Sequence, residues 1–470
     1  MRAALKQWVR TNVHKWGVAR ANAARIPWSY WGYETGSRGM SLHGVPIDDL
    51  AREFGSPLHV LNAPRLLATL DAFKRGDGTL RPTVCCSVKT YPVPGMLALL
   101  FEHAAQAEVI SEHELWLVNQ LGIPPAQIIY NGPAKSDASL EWAVAHRIKV
   151  IHINHREELA RVAAVAARLG IIARVGFRVT STGVSGQFGS PMDGDTVQLI
   201  RSAMMDPWTD PVSLHCHRGY NMRTVADVTS HVDPMLRFAE RLKREIDWTC
   251  AMLDVGGSLA VPTVVELSRR DARLARTFGV PAPAPEPSHT IDAATYSAWV
   301  CHRVASYCAE HHMVVPEIVM EPGRALSADA QALVSTVLEL RNQSPFSYAV
   351  TDVGTAVAPG AWNEYHQIGI AGTSGTRRTG AEQVYRIVGP ICHAGDVASM
   401  AWQLPPLARG DHLIMMDTGA YFISDASSFS FVQPGVVAVF SDGRIERLRR
   451  TETSEDIVRR DEWRGRVFSQ

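Results

Sequence analysis

Eight short runs of apolar and β-branched residues alternate with helix-like segments from about residue 58, and this alternation constrains the fold most strongly. Two intervening segments, 156–169 and 234–246, place apolar residues at helical spacing. Strands that alternate with helices form parallel sheets, and eight such units predict an α/β fold with a (β/α)8 barrel of the TIM type. An open doubly wound sheet is the alternative, but no Gly-x-Gly-x-x-Gly turn follows the first strand. The predicted strands are 83–88, 107–110, 127–130, 149–153, 172–179, 212–216, 251–255 and 317–320.

The pattern changes after residue 326, where strand-like runs follow one another without long helices between them. We therefore predict a barrel at 61–326 and a mostly β C-terminal domain at 327–470, to which residues 38–60 contribute the first strands. Four prolines predict an extended loop at 279–290, and a flexible turn is expected at 372–380. The predicted strands of the β domain are 332–340, 347–353, 384–389, 412–417 and 435–440.

Residues 1–37 form an N-terminal extension that is rich in tryptophan and basic residues. It contains Trp8, Trp16, Trp28 and Trp31 but lacks the apolar core of a secretory signal. We predict a helix that its tryptophans pack on the main body. The alternative is an amphipathic helix that touches a membrane or a nucleic acid.

Composition excludes several classes of function. Lys+Arg and Asp+Glu both total 47 among 470 residues, so no charge excess indicates nucleic acid or a membrane as a general partner. No apolar run reaches the roughly 18 residues of a membrane span. The seven cysteines show no paired Cys-x-x-Cys spacing, which indicates reduced thiols in a cytoplasmic protein without a metal site.

Polar residues follow the predicted strands at the positions that converge on the catalytic face of a barrel. Lys89 ends the first run, and Glu321 and Arg324 follow the last. A partly desolvated lysine forms Schiff bases readily. A lysine for an imine, a carboxylate for a ring nitrogen and an arginine for a phosphate together suit pyridoxal 5'-phosphate. The other strand-end residues are Ser111, Asn131, Arg178, His215, His217, Gly256 and Gly257.

Six motifs between about residues 40 and 440 resemble, in order, the group IV pyridoxal-phosphate decarboxylases. This family has the alanine racemase-like fold type III and includes diaminopimelate, ornithine and biosynthetic arginine decarboxylases; the diaminopimelate branch is the most similar. The motifs are Lys89, Gly132-Pro133-Ala134-Lys135-Ser136, Gly256-Gly257, Glu321-Pro322-Gly323-Arg324, Gly389-Pro390-Ile391-Cys392 with Asp396, and Gly419-Ala420-Tyr421.

The resemblance implies catalytic roles for three residues. Lys89 would carry the internal aldimine and shuttle protons. Glu321 would keep the pyridine nitrogen protonated, which makes the ring an electron sink. Cys392 would enter the partner subunit's site and help to protonate the quinonoid intermediate, so a homodimer with shared active sites is expected. An amino-acid racemase or epimerase on the same scaffold is one alternative, although Glu321 and Cys392 count against it. A cofactor-binding homologue without turnover is the other.

The resemblance also implies a set of cofactor contacts. His217 would stack on the ring, and Arg178 would lie near the phenolic oxygen. His215 fits the site and a packed core equally well. Backbone amides of glycine suit a phosphate because no Cβ blocks its approach. The remaining cofactor-binding residues are expected to be Gly256, Gly257, Gly323, Arg324 and Tyr421.

The sequence departs from the family where the distal end of the substrate is bound. His393 stands where members that take diamines or diaminopimelate have an acidic residue, and 358–362 lacks the arginine that would hold a distal carboxylate. We therefore predict an amino-acid substrate other than diaminopimelate, lysine or ornithine. Trp362, His366, His393 and Asp396 are candidates for substrate binding.

Two further departures concern the cofactor and the dimer. His217-Arg218-Gly219-Tyr220 lacks the serine of the family motif, so Arg218 is a candidate replacement ligand for phosphate. Gln187 replaces a lysine that often pairs with Asp396 across the dimer.

Overall fold

The computed structural model describes residues 25–36, 39–180, 187–219, 221–343, 346–372, 380–463 and 466–467, together with Trp8, Asn12, Val13 and Trp16. The chain forms two compact units. The barrel unit comprises Leu67–Ala260 and Ser288–Leu326, and the β-rich unit comprises Met1–Leu66, Val261–Pro287 and Ser327–Gln470. Tyr220 and most of the turn predicted at 372–380 lie outside the described residues.

Strands are present in both units. Within the described residues they are, in chain order, β1 (Tyr33–Gly36), β2 (Gly39–Leu42), β3 (Val45–Pro46), β4 (Leu58–Asn62), β5 (Thr83–Ser87), β6 (Gln106–Val109), β7 (Ile128–Tyr130), β8 (Val150–Ile153), β9 (Ala173–Thr180), β10 (Ser190–Pro191), β11 (Thr209–His215), β12 (Met252–Asp254), β13 (Glu317–Met320), β14 (Gln331–Gln343), β15 (Phe346–Thr351), β16 (Ile368–Gly372), β17 (Gln383–Val388), β18 (Val397–Leu404), β19 (His412–Met415), β20 (Gly435–Val439), β21 (Ile445–Arg449), β22 (Glu462–Trp463) and β23 (Arg466–Val467).

Most of the helices belong to the barrel unit. The described α-helices are α1 (Ile47–Phe54), α2 (Ala63–Lys74), α3 (Pro94–Glu102), α4 (Glu112–Gln120), α5 (Asp137–Ala145), α6 (Arg156–Leu169), α7 (Gly194–Met205), α8 (Val225–Ile246), α9 (Arg269–Phe278), α10 (Ala293–Glu310), α11 (Arg324–Ser327) and α12 (Ser454–Val458). Short 3-10 helices lie at Trp28–Trp31, Val88–Thr90, Pro125–Gln127, Pro287–His289, Ala328–Ala330 and Ala361–Asn363.

The barrel unit is a closed parallel sheet. Its strands pair in the order β5, β6, β7, β8, β9, β11, β12 and β13, and β13 returns to pair with β5. Apolar side chains of these strands fill the interior, because alternate residues of a strand face inward. Each predicted run overlaps one barrel strand, so the (β/α)8 prediction is confirmed and the open sheet is excluded. The interior cluster consists of Cys85, Ile129, Val150, Val212, Met252 and Val319.

Helix boundaries follow from their capping residues. Helix α6 has the predicted bounds, with the side chain of His155 as its N-cap. Helix α8 begins nine residues before the predicted start at Pro234, because Thr224 and Asp227 form a capping box. The helix continues through Pro234, so the proline does not mark its beginning as the sequence suggested.

The β-rich unit is built around the long strand β14. This strand pairs with β4, β15 and β19, and β4 pairs in parallel with β20. Residues 58–62 therefore contribute to this sheet, as predicted for part of 38–60. Residues 47–54 instead form α1, because Ile47, Leu50 and Ala51 are buried at helical spacing. Strands β16, β18 and β21 were not predicted.

Residues 261–287 were predicted to be part of the barrel at 61–326, but this assignment is wrong. They belong to the β-rich unit, where the amide of Leu267 donates to Asn363 and the amide of Tyr365 donates to Val265, both at 2.8 Å. The proline-rich stretch has no regular structure from Val280 to Glu286, as expected for an extended loop.

The tryptophans of the N-terminal extension differ in environment. Trp31 is fully buried in the core of the β-rich unit, and Trp28 packs against that core. Trp8 and Trp16 are 63% and 49% exposed. The predicted packing is therefore confirmed for Trp28 and Trp31, and it stays a prediction for Trp8 and Trp16. Among the described residues, no helix has both the length and the apolar character that crossing a bilayer requires.

Candidate active site

Lys89 lies at the mouth of the barrel in the 3-10 turn Val88–Thr90, directly after β5. Its Nζ atom is 3.8 Å from Oε2 of Glu108, and its side chain is 35% exposed. Glu108, in β6, is 1% exposed and also accepts a hydrogen bond from the Ser87 hydroxyl at 2.6 Å. Lys89 is therefore an accessible amine whose charge is balanced by a buried carboxylate.

Glu321 is buried directly after β13, and its amide donates to the carbonyl of Gly256 at 2.9 Å. Oε1 accepts a hydrogen bond from Asn131 Nδ2 at 2.6 Å, and Oε2 lies 3.3 Å from His215 Nε2. Burial alone would raise the pKa of Glu321, but contacts with His215 and Asp254 outweigh it and hold the pKa well below its usual range. The carboxylate is therefore an anion in a buried setting.

Asp254 ends β12 next to Glu321 and is fully buried. Burial and the negative charge of Glu321 raise the pKa of Asp254 well above its usual range. The two carboxyl groups therefore hold one proton, on Asp254, while Glu321 stays ionised. His152, Asp254 and Glu321 also offer three potential metal-ligand atoms within 4.8 Å of one another.

Three histidines surround Glu321. The rings of His152 and His215 stack at 4.6 Å with an interplanar angle of 21°. Burial lowers the pKa of His217 to about 3, and the ring accepts a hydrogen bond at Nδ1 from the amide of Gly257 at 3.2 Å. His217 is therefore neutral with a fixed ring orientation. The contact with Glu321 places His215 in the site rather than in a packed apolar core.

Glycines leave the barrel mouth lined by backbone. A Cβ on Gly257 would lie 2.6 Å from the carbonyl oxygen of Glu321, and one on Gly323 would lie 2.3 Å from Thr90 Oγ1. Gly256 has a left-handed φ of 64°, and its amide donates to Asp254 Oδ1 at 2.9 Å. The amides of Gly256 and Gly257 thus donate to partners inside the barrel unit. This differs from the prediction, in which both amides bind the cofactor phosphate.

The three arginines of the predicted site have different surroundings. The guanidinium of Arg178, in β9, packs over the ring of Phe188 at 4.9 Å. Arg324 begins α11. Arg218 donates to the backbone oxygen of Asp227 at 2.9 Å and also to the Ser230 hydroxyl. Because α8 engages its guanidinium, Arg218 does not fill the place of the missing serine in this structure.

Tyr421 belongs to the β-rich unit, on the turn that follows β19. Its left-handed φ of 68° is unusual for a residue with a side chain. The turn is held by the amide of Thr418, which donates to Gln331 at 3.0 Å, and by the amide of Gly419, which donates to Ala328 at 3.0 Å. A Cβ on Gly419 would lie 1.8 Å from the Ser327 carbonyl oxygen, so only glycine fits there.

The loop that carries Cys392 also lies in the β-rich unit. Cys392 is exposed, whereas all other cysteines are buried. Asp396 is 3% exposed and accepts hydrogen bonds from the amides of Thr355 at 2.7 Å and Ile391 at 2.8 Å. Its carboxylate therefore shapes the loop, whereas the sequence analysis assigned it to substrate binding.

The other predicted substrate residues fall into two environments. Trp362 is 39% exposed, and His393 is exposed on the Cys392 loop. His366 is buried, with Nδ1 3.0 Å from the Met416 carbonyl oxygen. Trp362 and His366 line one shallow cavity of the β-rich unit, to which His393 does not contribute.

Glu108, His152 and Asp254 were not predicted as site residues, and Asn131 was predicted at a strand end without a role. All four lie in or directly after a barrel strand and are at most 3% exposed. Their polar character inside otherwise apolar runs was the available signal, because a buried polar group needs a partner.

Comparison with known proteins identifies the family. The sequence model described as "Pyridoxal-dependent decarboxylase, pyridoxal binding domain" matches residues 67–328. The chain belongs to the pyridoxal-dependent decarboxylases. It is a carboxy-lyase of fold type III, and its cofactor is pyridoxal phosphate.

Similar proteins align over most of the chain. The diaminopimelate decarboxylase of Aquifex aeolicus is 25% identical over 431 residues, which cover 89% of this chain and 94% of the relative. That of Vibrio cholerae is 28% identical over 413 residues, covering 85% and 90%. The solved structure of the M. jannaschii diaminopimelate decarboxylase with L-lysine has a TM-score of 0.80 at 20% identity, covering 93% and 99%.

The barrel unit fits pyridoxal phosphate on three observations. Glu321 is a buried, ionised acceptor suited to a protonated ring nitrogen, and Lys89 offers an accessible amine. Thr90 Oγ1 is buried without a hydrogen-bond partner among the described residues. It lies next to Gly323, whose missing side chain leaves this hydroxyl uncovered. When bound, the cofactor supplies the electron sink for loss of carbon dioxide.

Proposed function

We propose that this decarboxylase removes the α-carboxyl group of an amino acid other than diaminopimelate, lysine or ornithine. Lys89 binds the cofactor, and Glu321 holds the proton of its ring nitrogen. The observation that carries the proposal is the buried carboxyl group of Glu321, which accepts a hydrogen bond from Asn131 and lies 3.3 Å from His215 Nε2, because a carboxylate there is a strong partner for a protonated ring. An arginine at this position would favour a neutral ring, which suits racemisation better than decarboxylation.

Residues of the barrel unit would act mainly by holding protons. The Glu108 carboxylate lies 3.8 Å from Lys89 Nζ and would attract a positive charge on this amine. The neutral ring of His217, fixed by the Gly257 amide, provides a flat surface for the cofactor. Arg178 lies near the end of β9, which pairs with β11, and would face the phenolic oxygen of the cofactor. Arg324 would contribute positive charge to phosphate binding.

A homodimer is part of the proposal. Cys392 is an exposed thiol on a loop that Asp396 holds in shape through two backbone amides. Such a thiol can donate its proton to a substrate carbon in the site of a second subunit. Gly323 keeps its predicted role at the cofactor phosphate, whereas the amides of Gly256 and Gly257 already donate to Asp254 and His217.

The substrate assignment depends on what the distal positions lack. His393 cannot serve as an anionic partner for a distal ammonium, since a neutral or cationic imidazole carries no negative charge. Ala358 is fully buried and Ala361 is 3% exposed, so the stretch where an arginine was expected is apolar. Both features favour a substrate with a neutral, aromatic or acidic side chain.

Diaminopimelate is the second candidate substrate. The relatives named diaminopimelate decarboxylase cover about nine-tenths of the chain, and a lysine/ornithine decarboxylase of Vibrio vulnificus shares the fold with a TM-score of 0.69 at 20% identity. This similarity favours a substrate with a distal ammonium group. His393 and the apolar stretch at 358–362 favour a substrate without one.

Carbon dioxide release from a panel of L- and D-amino acids distinguishes the two candidates. The panel contains diaminopimelate, lysine, ornithine, aromatic and acidic amino acids, and the purified holoenzyme is compared with Lys89→Ala. We expect release from one neutral, aromatic or acidic substrate and none from the Lys89→Ala variant. Fastest release from diaminopimelate would refute the substrate proposal, and undiminished release by Lys89→Ala would refute the role of the lysine.

A further inference from the structure

Asn131 occupies the centre of the polar network in the barrel unit. It follows β7, is 3% exposed and has all of its side-chain hydrogen-bonding groups directed at buried partners. Nδ2 donates to Glu108 Oε1 at 3.0 Å and to Glu321 Oε1 at 2.6 Å. Oδ1 lies 2.6 Å from Nδ1 of His152. One amide group therefore bridges the carboxylate next to Lys89 and the carboxylate assigned to the cofactor ring.

The chemistry of these partners fixes the orientation of the amide. Ionised carboxylates only accept hydrogen bonds, so the NH2 group must face Glu108 and Glu321. The amide oxygen then needs a donor, which places the proton of His152 on Nδ1. Its Nε2 is left to accept from the Ser213 hydroxyl at 3.0 Å. Burial lowers the pKa of His152 well below its usual range, in agreement with this neutral form.

The protein provides dedicated space for this arrangement. A Cβ on Gly176 would lie 2.3 Å from Cδ2 of His152, so the imidazole fits only because the neighbouring strand carries a glycine there. The Ser87 hydroxyl holds the second oxygen of Glu108 at 2.6 Å. The network thus runs from Lys89 through Glu108 and Asn131 to Glu321, and each of these groups has a defined partner.

We infer that Asn131 is a positioning residue that couples the protonation of Lys89 to that of Glu321. Its NH2 group is a hydrogen-bond donor that two buried carboxyl groups, those of Glu108 and Glu321, share. Without this shared donor, the two carboxylates would bind a proton between them, as closely spaced buried carboxyl groups do. One negative charge would then be lost beside Lys89. This inference rests on the proposed roles of Lys89 and Glu321.

The test compares the holoenzyme with Asn131→Ala and, as a matched control, Asn154→Ala. Asn154 is a buried asparagine that follows β8 and donates to Glu158 at 3.1 Å and to the Gly132 carbonyl at 3.2 Å. The visible absorbance of the bound cofactor is titrated with pH, the dissociation constant of the cofactor is measured, and thermal midpoints report on folding. Lys89→Ala is included to establish that the titrating band depends on the lysine.

We expect Asn131→Ala to lower the pH midpoint of the absorbance band by about one unit or more, the size of a lost hydrogen bond to a charged group. Asn131 contacts no residue assigned to the phosphate, so a change in cofactor affinity should arise only through the contact of Glu321 with the ring nitrogen. Asn154→Ala should lower the thermal midpoint and leave the titration unchanged. If Asn131→Ala does not fold, Asn131→Ser, which keeps one donor, should shift the midpoint in the same direction by less.

The outcomes separate this inference from the proposed function. A titration that is unchanged in the folded Asn131 variant, or shifted equally by Asn154→Ala, would overturn the inference and leave the role of Lys89 intact. A titrating band that persists in Lys89→Ala would instead overturn the proposed function. Once a substrate is known, Asn131→Ala should reduce kcat about tenfold or more with little change in KM.

Discussion

Asp417 gives the β-rich unit a pH-dependent stability that can be measured directly. The residue is 2% exposed, and its Oδ1 accepts hydrogen bonds from Trp31 Nε1 at 2.8 Å and Thr263 Oγ1 at 2.7 Å. Among the described residues, Oδ2 has no hydrogen-bond partner. Burial and the charge of Asp329 raise the pKa of Asp417 from 3.8 to about 6. The folded protein therefore binds this proton more tightly than the unfolded chain does.

The sign and size of the effect follow from this difference in proton affinity. Stability falls with pH wherever the folded state holds more protons, so the contribution of Asp417 is lost as the pH rises from about 4 to about 6. The raised pKa corresponds to about 3 kcal/mol, at about 1.4 kcal/mol per pH unit. The side-chain amide that Asp417→Asn introduces resembles the neutral acid at every pH. We therefore expect Asp417→Asn to gain about 3 kcal/mol relative to the natural protein between pH 4 and pH 7.

Equilibrium urea unfolding of the holoenzyme, followed by circular dichroism at several pH values, measures this difference. Trp31→Phe is the companion variant. It removes one donor to the carboxylate, should raise the pKa of Asp417 further, and should extend the pH-dependent range upward. A difference between Asp417→Asn and the natural protein that is the same at pH 4 and pH 7 would refute the reasoning.

Three further predictions concern the barrel unit and the Cys392 loop. Lys135→Met leaves the buried Glu158 without its ion-pair partner at 2.6 Å and should lower the free energy of unfolding in urea by about 3–5 kcal/mol. The double variant with Glu158→Leu should recover much of this stability. Gly323→Ala places a Cβ against Thr90 Oγ1 and should weaken cofactor binding about tenfold in a fluorescence titration. Thr90→Ala relieves this clash but also removes the Thr90 hydroxyl, so it should restore binding only in part, and Thr90→Ser should not restore it. Asp396→Ala removes two hydrogen bonds that hold the loop, so it should reduce kcat about tenfold and increase proteolysis between residues 389 and 396. Rapid proteolysis with an unchanged kcat would show that turnover does not depend on the shape of the loop.

The barrel could be predicted from the sequence because its signals are local. Each strand is a short apolar run, and the helix between two strands shows its own periodicity and caps, as in α6. The position of Lys89 followed from the end of the first run. Segment 261–287 could not be assigned in the same way, because it lies between two barrel strands in the chain and its partners are residues about 100 positions away.

The sequence by itself determined the order of the strands, the residues at their ends, the family motifs and the departures at 358–362 and 393. Only the tertiary structure decided which of these side chains hold protons. Asp254, Glu321 and Asn131 lie on strand ends far apart in sequence, and closure of the barrel buries them together. Burial penalises charge, and distances of a few ångströms decide which carboxyl group stays ionised, so the protonation of Asp254 and the charge of Glu321 are properties of the folded barrel.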